Sequence, residues 1–183
     1  MSITPRGMSV QEAYRLYREG NILVNRRYQR KLVWTIPEKQ RLISSILNGY
    51  PIPLILLAER PQIHGSGKYE IIDGMQRLNA IFSFIENLFA FEEKYFDTSQ
   101  FTRAQQLANE SVFHPVAIEK PRLSVKECAD MLDYQLAVTI FSVMQENDIT
   151  EVFGRIIALL MLVRYNANSS ASIIKITNET SFN

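Results

Sequence analysis

The sequence predicts an α+β domain, a small sheet flanked by helices, and three observations predict it. Amphipathic stretches begin at helix-capping residues, as at Ser9 and at Ser124 with Glu127 three positions on. Short apolar or β-branched runs of strand length lie between them, at 52–58, 68–72 and 134–144. Across roughly the first ninety residues the order is helix, strand, basic loop, helix, strand, turn, strand, polar corner, helix. That order describes a mixed α/β unit.

In the first helix Val10, Ala13, Tyr14 and Tyr17 share a face and Gly20 ends it. Ile22 and Val24 alternate in a short strand over 21–25. Pro37 suits the first turn of a second helix whose buried face is Leu42, Ile43, Ile46 and Leu47, with Gly49 as the stop. The run from Ile52 to Ala58 is nearly continuous and apolar, as in a strand covered on both faces, and Glu59-Arg60-Pro61 marks its end. His64-Gly-Ser-Gly67 forms a turn, and the strand 68–72 leads into Asp73-Gly74. Residues 75–87 then carry apolar side chains at 78, 81, 82 and 85, a helical spacing. Phe89, Phe91 and Tyr95 complete a core. A polar connection follows over 97–121, with a short helix around 103–109. Ser124 caps a helix through Leu132, 134–144 is a strand, and Asp148 caps a helix over 149–155.

The chain has 183 residues, 46% hydrophobic and 21% charged, and a formal net charge of +1. This is the composition of a globular protein, and any nucleic-acid surface must be a local patch. The lone Cys128 excludes an internal disulfide and reads as a buried small apolar residue; His64 and His114 offer no metal-ligand spacing. No charged-then-apolar leader and no membrane-length apolar run is present, so a cytoplasmic location with no membrane partner is expected.

Asp73-Gly-Met-Gln-Arg77 is a strand-to-helix corner. Amides in the first turn of a helix lack internal partners and carry the positive end of the peptide dipoles, so an anion can bind there. Gly74 permits a sharp turn or close approach, Arg77 is a permanently charged fork suited to phosphate, and Gln76 both donates and accepts. Asp73 repels a phosphate unless it holds a metal ion, a hydroxyl or a water. The structural alternative is that Asp73 caps the helix, Gly74 makes a tight turn and Arg77 is solvated. Upstream, Arg26-Arg-Tyr-Gln-Arg-Lys31 followed by Trp34 interleaves cations with aromatics; such a segment tracks a nucleic-acid backbone, closes over a nucleotide or simply faces solvent.

Tyr28-Gln-Arg30 with Trp34, then Gly49-Tyr-Pro-Ile-Pro53, then Ile71-Ile-Asp-Gly-Met-Gln-Arg-Leu78 resemble, in order and spacing, the prokaryotic ParB/sulfiredoxin-like family with a DGQQR motif. That family includes the N-terminal domains of GmrSD-type restriction proteins, and the resemblance covers roughly residues 8–155. It implies a ParB/sulfiredoxin-like core that binds and hydrolyses a nucleoside triphosphate, with Mg as the accompanying cation, in a system restricting foreign DNA. By the same resemblance Asp73, Gln76 and Arg77 are the catalytic positions. Gln29, Arg30, Gly74, Gln76 and Arg77 bind nucleotide, and Trp34 matches an aromatic position that packs on the pocket wall or, as favoured here, in the core. Met75 replaces the first glutamine of the motif and cannot donate a hydrogen bond, and Asn79 and Ala80 replace two threonines.

After Ile156 the family pattern is lost: Ile157 replaces an asparagine, an apolar run to Val163 follows, and an Asn/Ser-rich tail runs from Asn166. The expected organisation is therefore a domain over 1–156 and a divergent segment over 157–183. A frameshift, or a shortened member whose apolar run closes the fold or forms a homodimer interface, would each account for it. Three functions follow. The first is a nucleotide hydrolase of a restriction system, with a nuclease domain or subunit on another chain. The second is a nucleotide-regulated module binding DNA or a partner without turnover. The third is a ParB-like DNA-binding or nicking domain with Arg26, Arg27, Arg30 and Lys31 on the phosphate backbone.

Overall fold

The computed structural model describes residues 2–23, 34–60, 68–100, 116–117, 119–142, 151 and 154–155. The chain divides into two compact units, Met1–Val143 and Met144–Asn183. In the second, Glu151, Gly154 and Arg155 are helical, and Arg155 Nη2 pairs with Glu151 Oε1 at 2.7 Å.

The first unit is α+β, as its sequence predicts. Its elements are β1 (Ile3–Ser9), α1 (Val10–Arg18), β2 (Ile22–Leu23), α2 (Ile36–Leu47), β3 (Ile55–Arg60), β4 (Lys68–Asp73), α3 (Met75–Ile85), a 3-10 turn (Thr98–Gln100), α4 (Val125–Asp133) and β5 (Gln135–Ser142). The strands form a five-stranded mixed sheet in the order β1-β5-β3-β4-β2. β1 runs antiparallel to β5, β5 parallel to β3, β3 antiparallel to β4, and β4 parallel to β2.

Local chemistry sets the helix ends. The Ser9 hydroxyl accepts from the Glu12 amide at 3.1 Å to start α1. Ser124 and Glu127 cap α4 reciprocally, with the Ser124 amide donating to Glu127 Oε2 at 2.7 Å. At α2 the Thr35 amide and hydroxyl both donate to Glu38 Oε2 at 2.7 Å.

One face of the sheet carries the core. Met8, Ile55, Leu57, Ile71, Leu136 and Val138 meet Tyr14 of α1, Ile43 and Ile46 of α2, Ile81 and Phe84 of α3 and Met131 of α4 in a single buried cluster. Burial of apolar surface at about 25 cal/mol per Å² is what holds helices and sheet together. Phe84 meets Phe89 at 5.5 Å and Phe96 edge-on at 6.3 Å; of the aromatics expected to complete the core, Phe89 is buried in it and Phe91 packs partly buried against it, whereas Tyr95 is outside the cluster. Trp34 packs partly buried against the cluster, and Cys128 is fully buried.

Three features depart from the sequence reading. β1 has weak strand chemistry, with Pro5 and Gly7 inside it, and it exists because it is an edge strand, hydrogen-bonded among the described residues to β5 alone. β3 starts at Ile55 and runs through Glu59 and Arg60, because Arg60 pairs across the ladder with Glu70 at 2.6 Å. Tyr17 shares the face of Tyr14, 6.4 Å from its ring, but lies at the rim: it is 37% exposed and stacks on the buried Phe82 at 4.6 Å. The turn expected over 64–67 and the short helix around 103–109 lie outside the described residues, as do Val24 and Asn25.

Candidate functional site

The corner sits where β4 ends and α3 begins. Asp73 is the last residue of β4, Gly74 has φ +103°, and Met75 is the first residue of α3. A left-handed conformation disfavours any residue with a Cβ, and here one would also stand 3.0 Å from Ile55 Cγ1 and 3.1 Å from Cγ2. Glycine thus lets the strand turn into the helix directly over the core. A register shift between Leu56 and Leu57 bends the β3–β4 ladder at the same end, with Leu56 opposite Asp73 and Leu57 opposite Ile71. Such irregularities re-aim side chains at the end of a strand.

The N-cap of α3 is Gly74, which has no side chain to cap with, and the first turn contains no acidic residue. Asp73 therefore does not cap the helix. Its carboxylate accepts instead from Arg77 Nη2 at 2.7 Å, one helical turn away. The same Nη2 donates to the Leu54 carbonyl at 3.1 Å. Arg77 is not solvated either: its side chain is 15% exposed, and its buried Nε has no hydrogen-bond partner among the described residues. Asp73 remains 42% exposed beside it.

Gln76 extends the corner in another direction, where its Oε1 accepts from the Trp34 amide at 3.4 Å. That contact ties the corner to the residue just after the basic segment. The segment 50–54 also reaches the corner, through the Leu54 carbonyl. It is held at Tyr50, whose carbonyl accepts from the Tyr134 hydroxyl at 2.8 Å, and at Leu54 by Arg77. Met75 is partly buried against the core, so the thioether contributes packing.

The structure thus brings together Asp73, Gly74, Gln76 and Arg77. Gln29, Arg30, Arg26, Arg27 and Lys31 lie outside the described residues. Among the described residues no group of three or more His, Cys, Asp or Glu side chains could hold a metal ion, and no helix is long and apolar enough to cross a membrane.

Two participants carried no signal in their side chains. Leu54 acts through its carbonyl, and Ile55 through the space it leaves for a glycine only. A third feature, the buried Glu70 at 2% exposure, did have a signal: a carboxylate inside an apolar strand. Its partner Arg60 is a diagonal neighbour in the ladder, where Ala58 opposes Glu70 and Arg60 opposes Lys68.

Comparison with curated proteins and with solved structures returns no match. A family model does match, described as GmrSD restriction endonuclease, N-terminal domain, over residues 10–180. The match takes in every element from α1 to β5 and runs on past Ile156 through most of the tail. The chain belongs to the GmrSD N-terminal domain family.

Proposed function

We propose that this chain binds and hydrolyses nucleoside triphosphates at the Asp73–Arg77 corner, as the nucleotide-responsive domain of a prokaryotic DNA restriction or anti-phage defence protein. One observation carries the reading: a mostly buried guanidinium whose Nε has no partner among the described residues sits beside a half-exposed carboxylate, at the start of a helix whose N-cap is a glycine. Buried polar groups in folded proteins nearly always find partners, and an orphan at a polar corner is a place where a ligand or a water can complete the bonding. The family description supplies the restriction context, with DNA as a partner.

In this reading Arg77 and the first-turn amides of α3 hold phosphate oxygens. Gln76 contributes a donor, and Asp73 positions an attacking water or a Mg ion. A single carboxylate suits Mg, which commonly takes one or two protein carboxylates and draws its other ligands from phosphates and water. Arg30, with Gln29, neutralises charge developing on the transferred phosphoryl group. The fold that this assignment calls for is a ParB/sulfiredoxin-like core. A nuclease domain or subunit on another chain would cut the DNA.

Turnover of the four ribonucleoside triphosphates by the full chain with Mg tests the proposal, with Asp73→Ala and Arg77→Ala beside it. Both variants are expected to lose hydrolysis by on the order of 100-fold or more, the effect of removing one charge-stabilising donor. Hydrolysis unchanged in both would sink it.

One observation favours a second reading, binding without turnover. Met75 takes the place of a glutamine, packs against the core and offers no donor to a phosphate or a water. In that case nucleotide raises the melting temperature while no phosphate is released, and Met75→Gln is the variant in which release would appear.

A further inference from the structure

Arg77 does not stand open to an incoming anion. Its Nη2 is engaged twice, by Asp73 Oδ2 at 2.7 Å and by the Leu54 carbonyl at 3.1 Å. Asp73 lies on the more exposed side of the pair, at 42% against 15% for Arg77. The two charges cancel, so an isolated anion must compete with a carboxylate for the arginine. An isolated cation must likewise compete with a guanidinium for Asp73.

We propose that the Asp73–Arg77 pair is an exchange latch, which admits a polyphosphate together with a divalent cation and discriminates against either one alone. The inference rests on the nucleotide reading above and adds to it the form of the ligand, a metal-chelated polyphosphate. Charge balances in the exchange, since one carboxylate–guanidinium pair is replaced by a carboxylate–cation contact and a guanidinium–phosphate contact. No covalent bond changes. The Nε, which has no partner among the described residues, is the second mark of the latch: together with an Nη it forms the edge of the fork that takes a phosphate through two parallel hydrogen bonds. While Nη2 is held by Asp73 and Leu54, that edge is unused. The coupling must be reciprocal, so cation strengthens anion binding by the factor by which anion strengthens cation binding.

The test is calorimetric binding to the full chain of inorganic triphosphate, and of each of the four ribonucleoside triphosphates, with Mg and with a chelator. For the wild type, Mg is expected to tighten binding on the order of tenfold or more, within the usual range of coupling between sites. In Asp73→Asn the preference for Mg disappears, and metal-free binding becomes tighter than in the wild type because Arg77 is released. Asp73→Ser is measured alongside, because an amide oxygen at position 73 can still accept from Arg77; it is expected to behave in the same way. Equal wild-type affinity with Mg and with chelator, or a preference for Mg that survives in both variants, overturns the latch alone. No binding of any probe in either condition overturns the nucleotide reading and the latch with it.

Discussion

A Cβ placed on Gly74 would lie 3.0 Å from Ile55 Cγ1, and the backbone at Gly74 is left-handed, with φ +103°. Both constraints act on the same residue. Gly74→Ala should therefore destabilise the fold by about 1–3 kcal/mol, from the left-handed conformation together with a forced shift of Ile55. Urea unfolding measures it, and a midpoint equal to that of the wild type would contradict the geometry.

Arg60 and Glu70 give a second expectation. Glu70 is 2% exposed and accepts from Arg60 Nε at 2.6 Å, whereas Arg60 is 41% exposed. Arg60→Ala leaves a buried carboxylate short of its charged partner, at a cost of about 2–3 kcal/mol. Replacing both, as Arg60→Met with Glu70→Leu, should recover part of that loss, because the carboxylate that Arg60 served is then gone as well. A double-mutant cycle in denaturant decides it, and a double variant no more stable than Arg60→Ala alone would refute the claim.

Acid should weaken the α4 cap. The Glu127 carboxyl lies below its ordinary value because the Ser124 hydroxyl and amide donate to it, with Lys94 adding a smaller effect. A lowered folded pKa means that the folded state binds the proton less readily than the unfolded chain. The stabilisation is therefore present above about pH 4.5, the ordinary value, and fades as pH falls through the folded pKa. Solvent screening limits the effect to on the order of 0.5 kcal/mol. Glu127→Gln should be less stable than wild type near neutrality and equal to it in acid. A gap between the two that does not narrow toward pH 3, as a rough endpoint, would be evidence against this account.

Much of the first unit was legible in the sequence because its signals are local. Ser9 and Ser124 with Glu127 are capping residues whose hydrogen bonds form within three or four residues, and the α2 face of Leu42, Ile43 and Ile46 is written in helical spacing. β1 was not legible, since Pro5 and Gly7 mask a strand that exists only through pairing with β5, far along the chain. At the corner, residue types pointed to Asp73, Gly74, Gln76 and Arg77; the structure turns the chain at Gly74 and pairs Asp73 with Arg77, while Gln76 bonds to Trp34. The inward turn of Arg77 was hidden, because a Leu54 backbone carbonyl looks the same in every sequence and the burial of a guanidinium depends on tertiary packing.

The central claim is that Arg77 receives the phosphates of a nucleotide. A ligand that binds only the folded state raises its melting temperature, by an amount set by ligand concentration over Kd. The most direct measurement is the thermal shift of the wild type and of Arg77→Lys and Arg77→Ala with each ribonucleoside triphosphate and Mg. The account predicts a shift in the wild type, a smaller one in Arg77→Lys, which keeps the charge without the fork, and none in Arg77→Ala. A shift of the same size in all three proteins, or none in the wild type with any nucleotide, would contradict it.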